Sequence, residues 1–451
     1  MGCPFGEELV DELQRTRERT RALLEPLPEE ALRQQLRGFL SPLVWDLGHI
    51  ANFEEQWLVR AVGGEGLRPD MDRLYNPFEQ PRARRASLAL PSVAETLAYL
   101  AAVRQRSLEL LGRLTPDPAD PLLGNGYLYR MVLQHEAQHQ ETMLQALDIP
   151  EKGWAYPMVN LAGEEEAGGG AGGDAASGAE RRDRPLHGDD SIEIPAGAFE
   201  MGTDDRSRAY DNERCRHRVE LPAFSIERFP VTVQRWQQFI ADAGYRREDL
   251  WSTEGWAWQQ QTGCQHPQGW LPDGEGSWRV CRLGHRQPLV AGEPVQHVSY
   301  WEAEAFARWA GARLPTEAGW EKAAAWDPRA GVSRTYPWGE QPATGQLANL
   351  GGNSWAPAAV GSYPLGSSAY GVAQLLGDVY EWTSSSFEPY PGFQAFPYRR
   401  YSEVFFGGPY RVLRGASWAT HPLVARNSYR NWDLPCRRQI FAGVRLVGDL
   451  D

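Results

Sequence analysis

The chain carries, from residue 134 to residue 141, the run Gln-His-Glu-Ala-Gln-His-Gln-Glu. Residues four apart on an α-helix share one face, so His135 and His139 can direct two imidazoles at one ion. Glu141 lies about 200° around the helix from His139 and is poorly placed to join them. The run therefore predicts a helix that supplies two ligands of a metal site.

The third ligand has to come from another helix, and the sequence offers few candidates. Of the nine histidines, only His49, His135 and His139 precede His187. Taken singly, each of them is most simply explained as a hydrogen-bonded core residue. The pair with one remote partner instead favours a three-histidine metal centre with open coordination positions. Three neutral imidazoles suit Fe(II), Zn or Cu, so the ligand type leaves the metal open.

Helical spacing of apolar residues fills the first 150 residues of the chain. Four segments show intervals of three and four residues, at roughly 6–25, 40–62, 92–115 and 126–147. Ser41 and Pro42 predict a helix N-cap followed by a first-turn proline. Four such helices joined by loops predict an up-down bundle, whose core commonly holds metal ligands. His49 falls on the second segment and the histidine pair on the fourth.

The rest of the chain has a different character. Residues 163–181 are rich in Gly, Ala and acidic residues without periodicity, which predicts a flexible linker or a surface loop. Beyond it, short β-type runs at 192–194 and 411–413 alternate with Gly, Pro and Trp, and a helix is predicted near 300–312. We therefore predict three parts: a metal-binding helical bundle at 1–160, the linker at 161–187, and an irregular α+β domain at 188–451.

The overall composition excludes several classes of function. A net charge of −13 argues against a general nucleic-acid binder, because phosphate contacts need clustered Lys and Arg. No apolar run approaches the roughly 20 residues that span a membrane, and the N-terminus lacks a signal-peptide pattern. Five scattered cysteines form neither a disulfide framework nor a CxxC metal site. We expect a cytoplasmic monomer that acts on small molecules, without nucleic-acid or membrane partners.

Six blocks of sequence follow one another in the C-terminal part. They are IPAGAFEMG at 194–202, PVQHVSY at 294–300, RLPTEAGWE at 313–321, YPWG at 336–339, GDVYEWT at 377–383 and RGASW at 414–418. This order resembles the formylglycine-generating-enzyme (sulfatase-modifying-factor) domain, which implies a C-type-lectin-like fold with little regular structure. Those enzymes rely on a cysteine pair shortly after the last block, whereas residues 419–425 contain no cysteine. Their oxidase chemistry is therefore not expected.

Three further stretches narrow the resemblance: SPLVWDLGHI at 41–50, HEAQHQETM at 135–143 and YRNWD at 429–433. The N-terminal part resembles the DinB-like four-helix bundle. The combination is similar to the sulfoxide synthases of the ergothioneine pathway, more closely to the type that uses γ-glutamylcysteine. Such enzymes use non-haem iron(II) and O2 to join a thiol sulfur to the imidazole C2 of hercynine (Nα-trimethylhistidine), giving a sulfoxide. The resemblance thus implies Fe(II) as cofactor, O2 as co-substrate, and His49, His135 and His139 as metal ligands.

The resemblance also implies where the thiol substrate binds. By itself, the basic run at 81–85 is more simply explained as a solvated loop. A dipeptide with two carboxylates, however, matches two guanidinium groups well, because each can form a bidentate charge-assisted pair. The two substrate-binding arginines of the family are spaced i,i+3, which maps them onto Arg82 and Arg85 and leaves Arg84 facing solvent. Asp433, with assistance from Arg437, is implied to hold the thiol substrate.

Hercynine is implied to contact residues of both parts of the sequence. Gln138 matches the position of a contact to the hercynine imidazole in the family. The alternative is that Gln138 is an ordinary surface glutamine without a role in binding. Asn431 and Trp432 would otherwise belong to an ordinary turn. Because hercynine carries a quaternary ammonium group, an aromatic face can bind it by cation–π attraction, and Trp432 is our candidate.

Two tyrosines, Tyr398 and Tyr401, are candidates for proton transfer. The family uses a tyrosine of this region to supply a proton or hydrogen atom to reduced oxygen. A phenol with a pKa near 10 is a suitable donor that does not compete as a base. The alternative is that both residues only pack an aromatic loop. Spacing alone favours Tyr398 over Tyr401.

Two alternatives to this function stay open at the level of sequence. The first keeps the chemistry but changes the substrate, with cysteine or a selenium compound as donor, or histidine as acceptor as in the ovothiol branch. The second is a non-catalytic ligand-binding protein whose histidines hold a structural ion. Structural zinc sites are usually closed by four protein ligands, and the sequence provides three.

Overall fold

The computed structural model of the chain describes residues 6–149, 155–157, 190–274 and 276–450. These residues form two units. Of the described residues, the first unit contains 6–149 and 155–157 together with the short segments 205–208 and 283–285, and the second unit contains the others. The linker predicted at 161–187 lies outside the described residues.

The first unit is helical, as the apolar spacing predicts. Its α-helices are α1 (Gly6–Leu24), α2 (Glu29–Arg33), α3 (Leu43–Glu54), α4 (Val93–Leu111) and α5 (Tyr127–Leu147). A π-helical turn at Glu55–Arg60 extends α3, and 3-10 turns cover Pro69–Met71 and Arg82–Ser87. α1 packs against α5, and α3 packs against both α4 and α5. The predicted four-helix bundle is confirmed, and the short α2 is an addition that the spacing did not reveal.

The helix ends of the first unit follow from local polar groups. Ser92 and Glu95 form a capping box at the start of α4, in which each side chain accepts a bond from the other residue's backbone N–H. The N-cap predicted at Ser41 is wrong. α3 begins at Leu43, with Pro42 as its N-cap residue. The Ser41 hydroxyl instead accepts a hydrogen bond of 2.6 Å from the Arg85 guanidinium, which is a stronger, charge-assisted partner.

A buried ionic tetrad lies at the centre of the bundle, with one charged residue from each long helix. Its members are Arg17 on α1, Glu54 on α3, Arg104 on α4 and Glu136 on α5. Each arginine bonds both glutamates at donor–acceptor distances of 2.7–2.8 Å. Burial alone raises the pKa of Glu136, but the two guanidinium groups lower it to about 2. The tetrad therefore links all four helices through fully charged groups.

The second unit contains short strands in several small sheets. The strands are β1 (Ser191–Ile194), β2 (Gly197–Met201), β3 (His217–Leu221), β4 (Phe224–Glu227), β5 (Trp270–Pro272), β6 (Trp278–Arg282), β7 (His285–Pro288), β8 (Trp326–Asp327), β9 (Val332–Ser333), β10 (Tyr380–Ser386), β11 (Arg411–Gly415), β12 (Asn431–Asp433), β13 (Ala442–Gly443) and β14 (Val447–Asp449). The strand orders are β1-β4-β14, β12-β11-β10-β13, β2-β3, β5-β6-β7 and β8-β9. The runs at 192–194 and 411–413 fall in β1 and β11, as predicted.

Four helices complete the second unit: α6 (Val233–Ala241), α7 (Thr253–Thr262), α8 (Tyr300–Trp309) and α9 (Glu317–Ala325). Each begins after a Ser or Thr whose side chain accepts a hydrogen bond from the third helical residue's N–H. α8 is the helix that the sequence predicts near 300–312. The mixture of short strands and helices confirms the formylglycine-generating-enzyme-like fold class with little regular structure.

Buried arginines hold the core of the second unit together. The apolar core gathers around the fully buried Trp320 of α9. Beside it, Arg414 donates hydrogen bonds to Glu317 and Glu321, and Arg445 donates to Glu381. These guanidinium groups are inaccessible to solvent. Among the described residues of the whole chain, no helix has both the length and the hydropathy needed to cross a bilayer.

Candidate metal centre

Three histidines meet inside the first unit. His49 lies in the middle of α3, and His135 and His139 lie one turn apart on α5. The nitrogens that they can offer to an ion all lie within 4.8 Å of one another. The Nε2 atoms of His49 and His135 are 3.1 Å apart, and the ring centroids of the three residues are separated by 4.6–4.9 Å. The packing of α3 on α5 thus brings together the three residues that the sequence singled out.

Two outer partners fix the orientation of these rings. The Nδ1 atom of His49 lies 2.8 Å from the carbonyl oxygen of Tyr75, and a carbonyl can only accept, so Nδ1 carries the proton. The Nδ1 atom of His139 lies 3.1 Å from Oδ1 of Asp46, a carboxylate with only 1% of its surface exposed. A carboxylate that accepts from one ring nitrogen leaves the other nitrogen as a lone-pair donor. Both rings therefore present the Nε2 lone pair to the cluster.

His49 and His135 have the charge and the spacing that metal ligands require. Burial lowers the pKa of His49 and of His135 well below the ordinary histidine value, and the neighbouring His139 lowers both further. Neutral imidazoles are the form that binds metals. Imidazole nitrogens that share one ion at about 2.0–2.1 Å lie about 3 Å apart when the ligands are at right angles. The 3.1 Å between the Nε2 atoms of His49 and His135 fits this spacing. Three imidazoles suit a first-row divalent ion such as Fe(II), and three protein ligands leave coordination positions open.

Aromatic rings enclose the histidines within the first unit. Trp45 stacks on His49 at a centroid distance of 4.9 Å, and Phe53 stacks on His135 at 3.8 Å. The glycine at position 48 permits a further close contact, because a Cβ atom there would lie 2.0 Å from the ring of Tyr75. Gly48 therefore lets Tyr75 approach α3 closely enough for its carbonyl to bond His49.

Sequence reasoning missed the two residues that orient the ligands. Asp46 lies one helical turn before His49, yet its carboxylate bonds His139 on the other helix. An acidic residue in an otherwise apolar stretch was the available signal for Asp46. Tyr75 acts through its backbone carbonyl, and no residue type in the sequence encodes such a role.

The arginines predicted to bind the thiol substrate lie on the 3-10 turn Arg82–Ser87. Arg82 is exposed and donates to the carbonyl of Phe39. Arg85 is buried, and its guanidinium lies 3.4 Å from the ring centroid of Trp45, the same indole that stacks on His49. Burial lowers the pKa of Arg85 to about 10. Its hydrogen-bond acceptors are the Ser41 hydroxyl and the Gln80 carbonyl, and no carboxylate of the described residues forms an ion pair with it.

The predicted hercynine contact Gln138 lies on α5, directly before His139, and is partly buried. Gln134, one turn earlier, is fully buried and donates to the carbonyl oxygens of Arg130 and Arg208. Gln134 and Gln138 therefore differ in burial, and Gln134 serves the packing of the unit.

The predicted tyrosines lie in the second unit, in an aromatic group with Trp432. Tyr401 stacks on Tyr210 at 4.3 Å and meets Trp432 edge to face at 6.1 Å. Tyr398 lies edge to face with Tyr401 at 6.4 Å. One face of the Trp432 ring stacks on Phe387 at 4.1 Å. The structure thus brings both candidate tyrosines and the candidate cation–π residue into one cluster.

The remaining predicted residues lie on or just after β12. Asn431 and Asp433 each accept, through the side-chain oxygen, a hydrogen bond from the next residue's backbone N–H. Asp433 also forms an ion pair of 3.7 Å with Arg437, four residues later. The two residues predicted to contact the thiol substrate therefore lie next to each other in the second unit.

Comparison with known families divides the chain in the same way. Residues 12–143 match the DinB superfamily, and residues 176–450 match the sulfatase-modifying factor enzyme 1-like domain. The second match alone covers more than half of the chain.

Full-length relatives carry both parts. The hercynine oxygenase of Mycolicibacterium smegmatis is 46% identical over 453 residues, which cover 98% of this chain and 99% of the relative. This chain belongs to the hercynine oxygenase family. The hercynine oxygenase of Mycobacterium tuberculosis is also 46% identical, over 98% of this chain and 99% of its own length. The formylglycine-generating enzyme of the same organism is 31% identical, but over 44% of this chain, so the hercynine oxygenases match far more of it.

Proposed function

We propose that this chain is an iron(II)- and O2-dependent sulfoxide synthase that acts on hercynine and γ-glutamylcysteine. Its membership in the hercynine oxygenase family supports the coarser part of the proposal, oxygenation of hercynine in ergothioneine-related metabolism. The observation that carries the metal-dependent part is the convergence of three histidine ring nitrogens, with two of the rings oriented by outer partners. Iron, when bound there, would supply one site at which the thiol and O2 can react.

The proposed reaction balances without an external reductant. A thiol R–SH and hercynine, with its imidazole C2–H, react with O2 to give R–S(=O)–C2 and water. The S–H and C2–H bonds break, and a C–S bond and an S=O bond form. Forming the C–S bond withdraws two electrons and oxidising the sulfur withdraws two more, which together reduce O2. One oxygen atom enters the sulfoxide and the other leaves as water with the two hydrogens.

We assign the substrate contacts as follows. Arg82 and Arg85 bind the carboxylates of the thiol, with Asp433 and Arg437 as further thiol contacts. Gln138 and Trp432 contact hercynine, and Asn431 is a further substrate contact. Tyr398 donates a proton from its phenol, with Tyr401 as the alternative. The strongest support for this set comes from Arg85, because its buried guanidinium forms no ion pair within 4 Å with a carboxylate of the described residues, although the charge of Asp46 acts on it from further away.

The test is anaerobic reconstitution with Fe(II), followed by air, hercynine and one thiol. We expect mass spectrometry to detect a conjugate that contains one added oxygen, with γ-glutamylcysteine preferred over cysteine. Consumption of O2 without a conjugate for any thiol would reject the proposal. A preference for cysteine, or for histidine over hercynine, would keep the chemistry and change the substrate.

The arginines provide a sharper test of the thiol. Replacing Arg85 or Arg82 by Ala should raise the KM for γ-glutamylcysteine about tenfold to hundredfold, because a hydrogen bond to a charged group contributes about 1.5–3 kcal/mol. The KM for hercynine should change much less. Arg84→Ala is the matched control, since Arg84 lies on the same turn and is exposed. Equal effects on both substrates would contradict the assignment.

A further inference from the structure

The segment that carries the two candidate tyrosines, residues 396–402, contains neither a helix nor a strand. We call it the tyrosine loop. One buried carboxylate bonds both of its ends: Oδ2 of Asp211 accepts from the backbone N–H of Phe396 at 3.1 Å, and Oδ1 accepts from the hydroxyl of Ser402. Asp211 is 1% exposed. A single side chain therefore closes the loop on the inside of the second unit.

The residues on either side of Asp211 strengthen this attachment. Tyr210 stacks on the ring of Tyr401 at 4.3 Å. Asn212 donates a hydrogen bond of 3.2 Å to the Ser402 hydroxyl. Three consecutive residues of one short turn thus contact the tyrosine loop at its first residue, its last residue and its second tyrosine.

The turn is itself fixed to the core of the second unit. Glu213 accepts from Arg426 at 2.8 Å, in an ion pair with almost no solvent exposure. The carbonyl oxygen of Asn212 accepts a hydrogen bond of 2.8 Å from Arg430. Arg430 directly precedes the β12 residues that we assign to substrate binding. The turn therefore connects the tyrosine loop to the same buried framework that carries β12.

The surroundings of Asp211 explain why an acid is needed there. The groups that bond it are donors, and the cation facing it is Arg214, whose guanidinium lies 5.4 Å from the ring centroid of Phe396. Burial raises the pKa of Asp211 to about 6, while the bonds from Ser402 and Phe396 oppose that rise. A buried carboxyl group is costly unless it is hydrogen-bonded, and here both oxygens bond the same loop.

We propose that Asp211 is the positioning residue of the tyrosine loop, holding both of its ends so that the phenol of Tyr398 keeps the geometry required for proton donation. Tyr401, stacked on Tyr210, is the packing anchor of the loop. Asp211 acts through the loop and not on substrate. The inference rests on the proposed function and deepens it, because it names the group that fixes the proton donor.

The experiment compares Asp211→Ala, Asp211→Asn and Ser402→Ala with the wild-type full-length protein. Ser402→Ala removes one of the two attachments and is the milder variant if Asp211→Ala folds poorly. The matched control is Asp378→Ala. Asp378 is equally buried in the second unit and accepts three hydrogen bonds of 2.7–2.8 Å, none of them from the tyrosine loop.

The first readout needs neither metal nor substrate. Hydrogen exchange of peptides spanning residues 396–405 should become at least about tenfold faster in Asp211→Ala, less so in Ser402→Ala, and stay at the wild-type rate in Asp378→Ala. Wild-type exchange in Asp211→Ala would overturn the inference.

The second readout is turnover of the iron-loaded protein. We expect kcat for the conjugate to fall about tenfold to hundredfold in Asp211→Ala, with both KM values near wild type and more O2 consumed per product, because misplacement of a reacting group by about 1 Å costs this much. Asp211→Asn, which keeps one acceptor oxygen, should recover most of the activity. A mobile loop with a wild-type ratio of product formed to O2 consumed would also overturn the inference.

The same experiment distinguishes the two proposals. If the wild type itself forms no conjugate, the proposed function fails. If the wild type and Asp211→Ala are equally active, only the inference about Asp211 is rejected.

Discussion

At the scale of single residues, the metal cluster depends on groups that are not ligands. Asp46 and the carbonyl of Tyr75 each accept a hydrogen bond from the Nδ1–H of one histidine. Because they set the tautomer, they decide which nitrogen faces the ion. The histidines supply the lone pairs, and these outer partners fix the orientation of two of the rings.

Replacing Asp46 by Ala should therefore weaken metal binding about tenfold to hundredfold while the protein stays folded. The readout is Fe(II) affinity in competition with a coloured chelator, measured without substrate. Asp72→Ala is a suitable control, because Asp72 is a partly exposed acid of the same unit that bonds Arg60 and Asn52 instead of a histidine. Equal affinities for wild type and Asp46→Ala would show that the carboxylate does not orient His139.

The metal-free protein should lose stability as the pH falls below about 6.5, the ordinary histidine pKa. Burial lowers the folded-state pKa of His49 and His135, so in this range the unfolded chain binds more protons than the folded chain. The stability that the two neutral histidines contribute is fully present above about pH 6.5. Below that pH, each additional proton that the unfolded chain binds lowers the free energy of unfolding by about 1.4 kcal/mol per pH unit.

This dependence can be measured by urea unfolding of chelator-treated protein between about pH 5 and pH 7.5. His135→Phe should reduce the slope by the contribution of one proton. Identical slopes for the variant and the wild type would contradict the prediction.

At the scale of elements, the two ligand-bearing helices are fixed by charge as well as by packing. Glu54 closes α3 five residues after His49, and Glu136 directly follows His135 on α5. Both carboxylates bond the same two arginines, which come from α1 and α4. The tetrad therefore connects the two helices that carry the histidine cluster, α3 and α5, to each other through α1 and α4.

Replacing Glu136 by Gln should lower the free energy of unfolding by about 3–5 kcal/mol, because two buried guanidinium groups then share one carboxylate. The double variant Arg17→Met with Glu136→Leu should lower the free energy of unfolding by less than the sum of the two single substitutions, because it removes the two opposite charges together. Urea unfolding provides both values. Glu109→Gln is the control: it breaks an exposed pair with Arg106 on α4 and should stay within about 0.5 kcal/mol of wild type. Additive effects in the double variant would contradict the prediction.

At the scale of the whole molecule, the two units are stabilised by different hydrogen bonds. The first has long helices whose backbone groups bond one another. The second has short strands and long irregular segments, whose carbonyl oxygens need other donors. Arg445 supplies such donors: besides the Glu381 carboxylate, it bonds the carbonyl oxygens of Glu227, Arg228, Ala373 and Gln374.

Arg445→Lys should therefore destabilise the protein by about 3–5 kcal/mol although the charge is kept. An ammonium group offers three donors from one point, whereas the guanidinium offers five in a planar fork. Thermal and urea unfolding would measure the loss. Arg313→Lys, in the exposed pair with Asp449, should change stability by less than about 1 kcal/mol. Similar effects of the two substitutions would show that the buried fork is not required.

The sequence by itself determined the helical bundle, the order of the two parts, and the three histidines of the cluster. These features follow from local periodicity: residues four apart on a helix share a face wherever that helix is placed. The ordered blocks of the second part indicated its fold class through their resemblance to the formylglycine-generating-enzyme domain.

Only the tertiary structure decided which groups support those residues. Asp46 bonds His139 across 93 residues of sequence, and Asp211 bonds Ser402 across 191. The same is true of Arg85. No local pattern reveals that it stacks on Trp45, or that it forms no ion pair with a carboxylate of the described residues. Such contacts depend on how helices and loops pack, and packing energies are shared over many residues, so the sequence near either partner does not encode the pair.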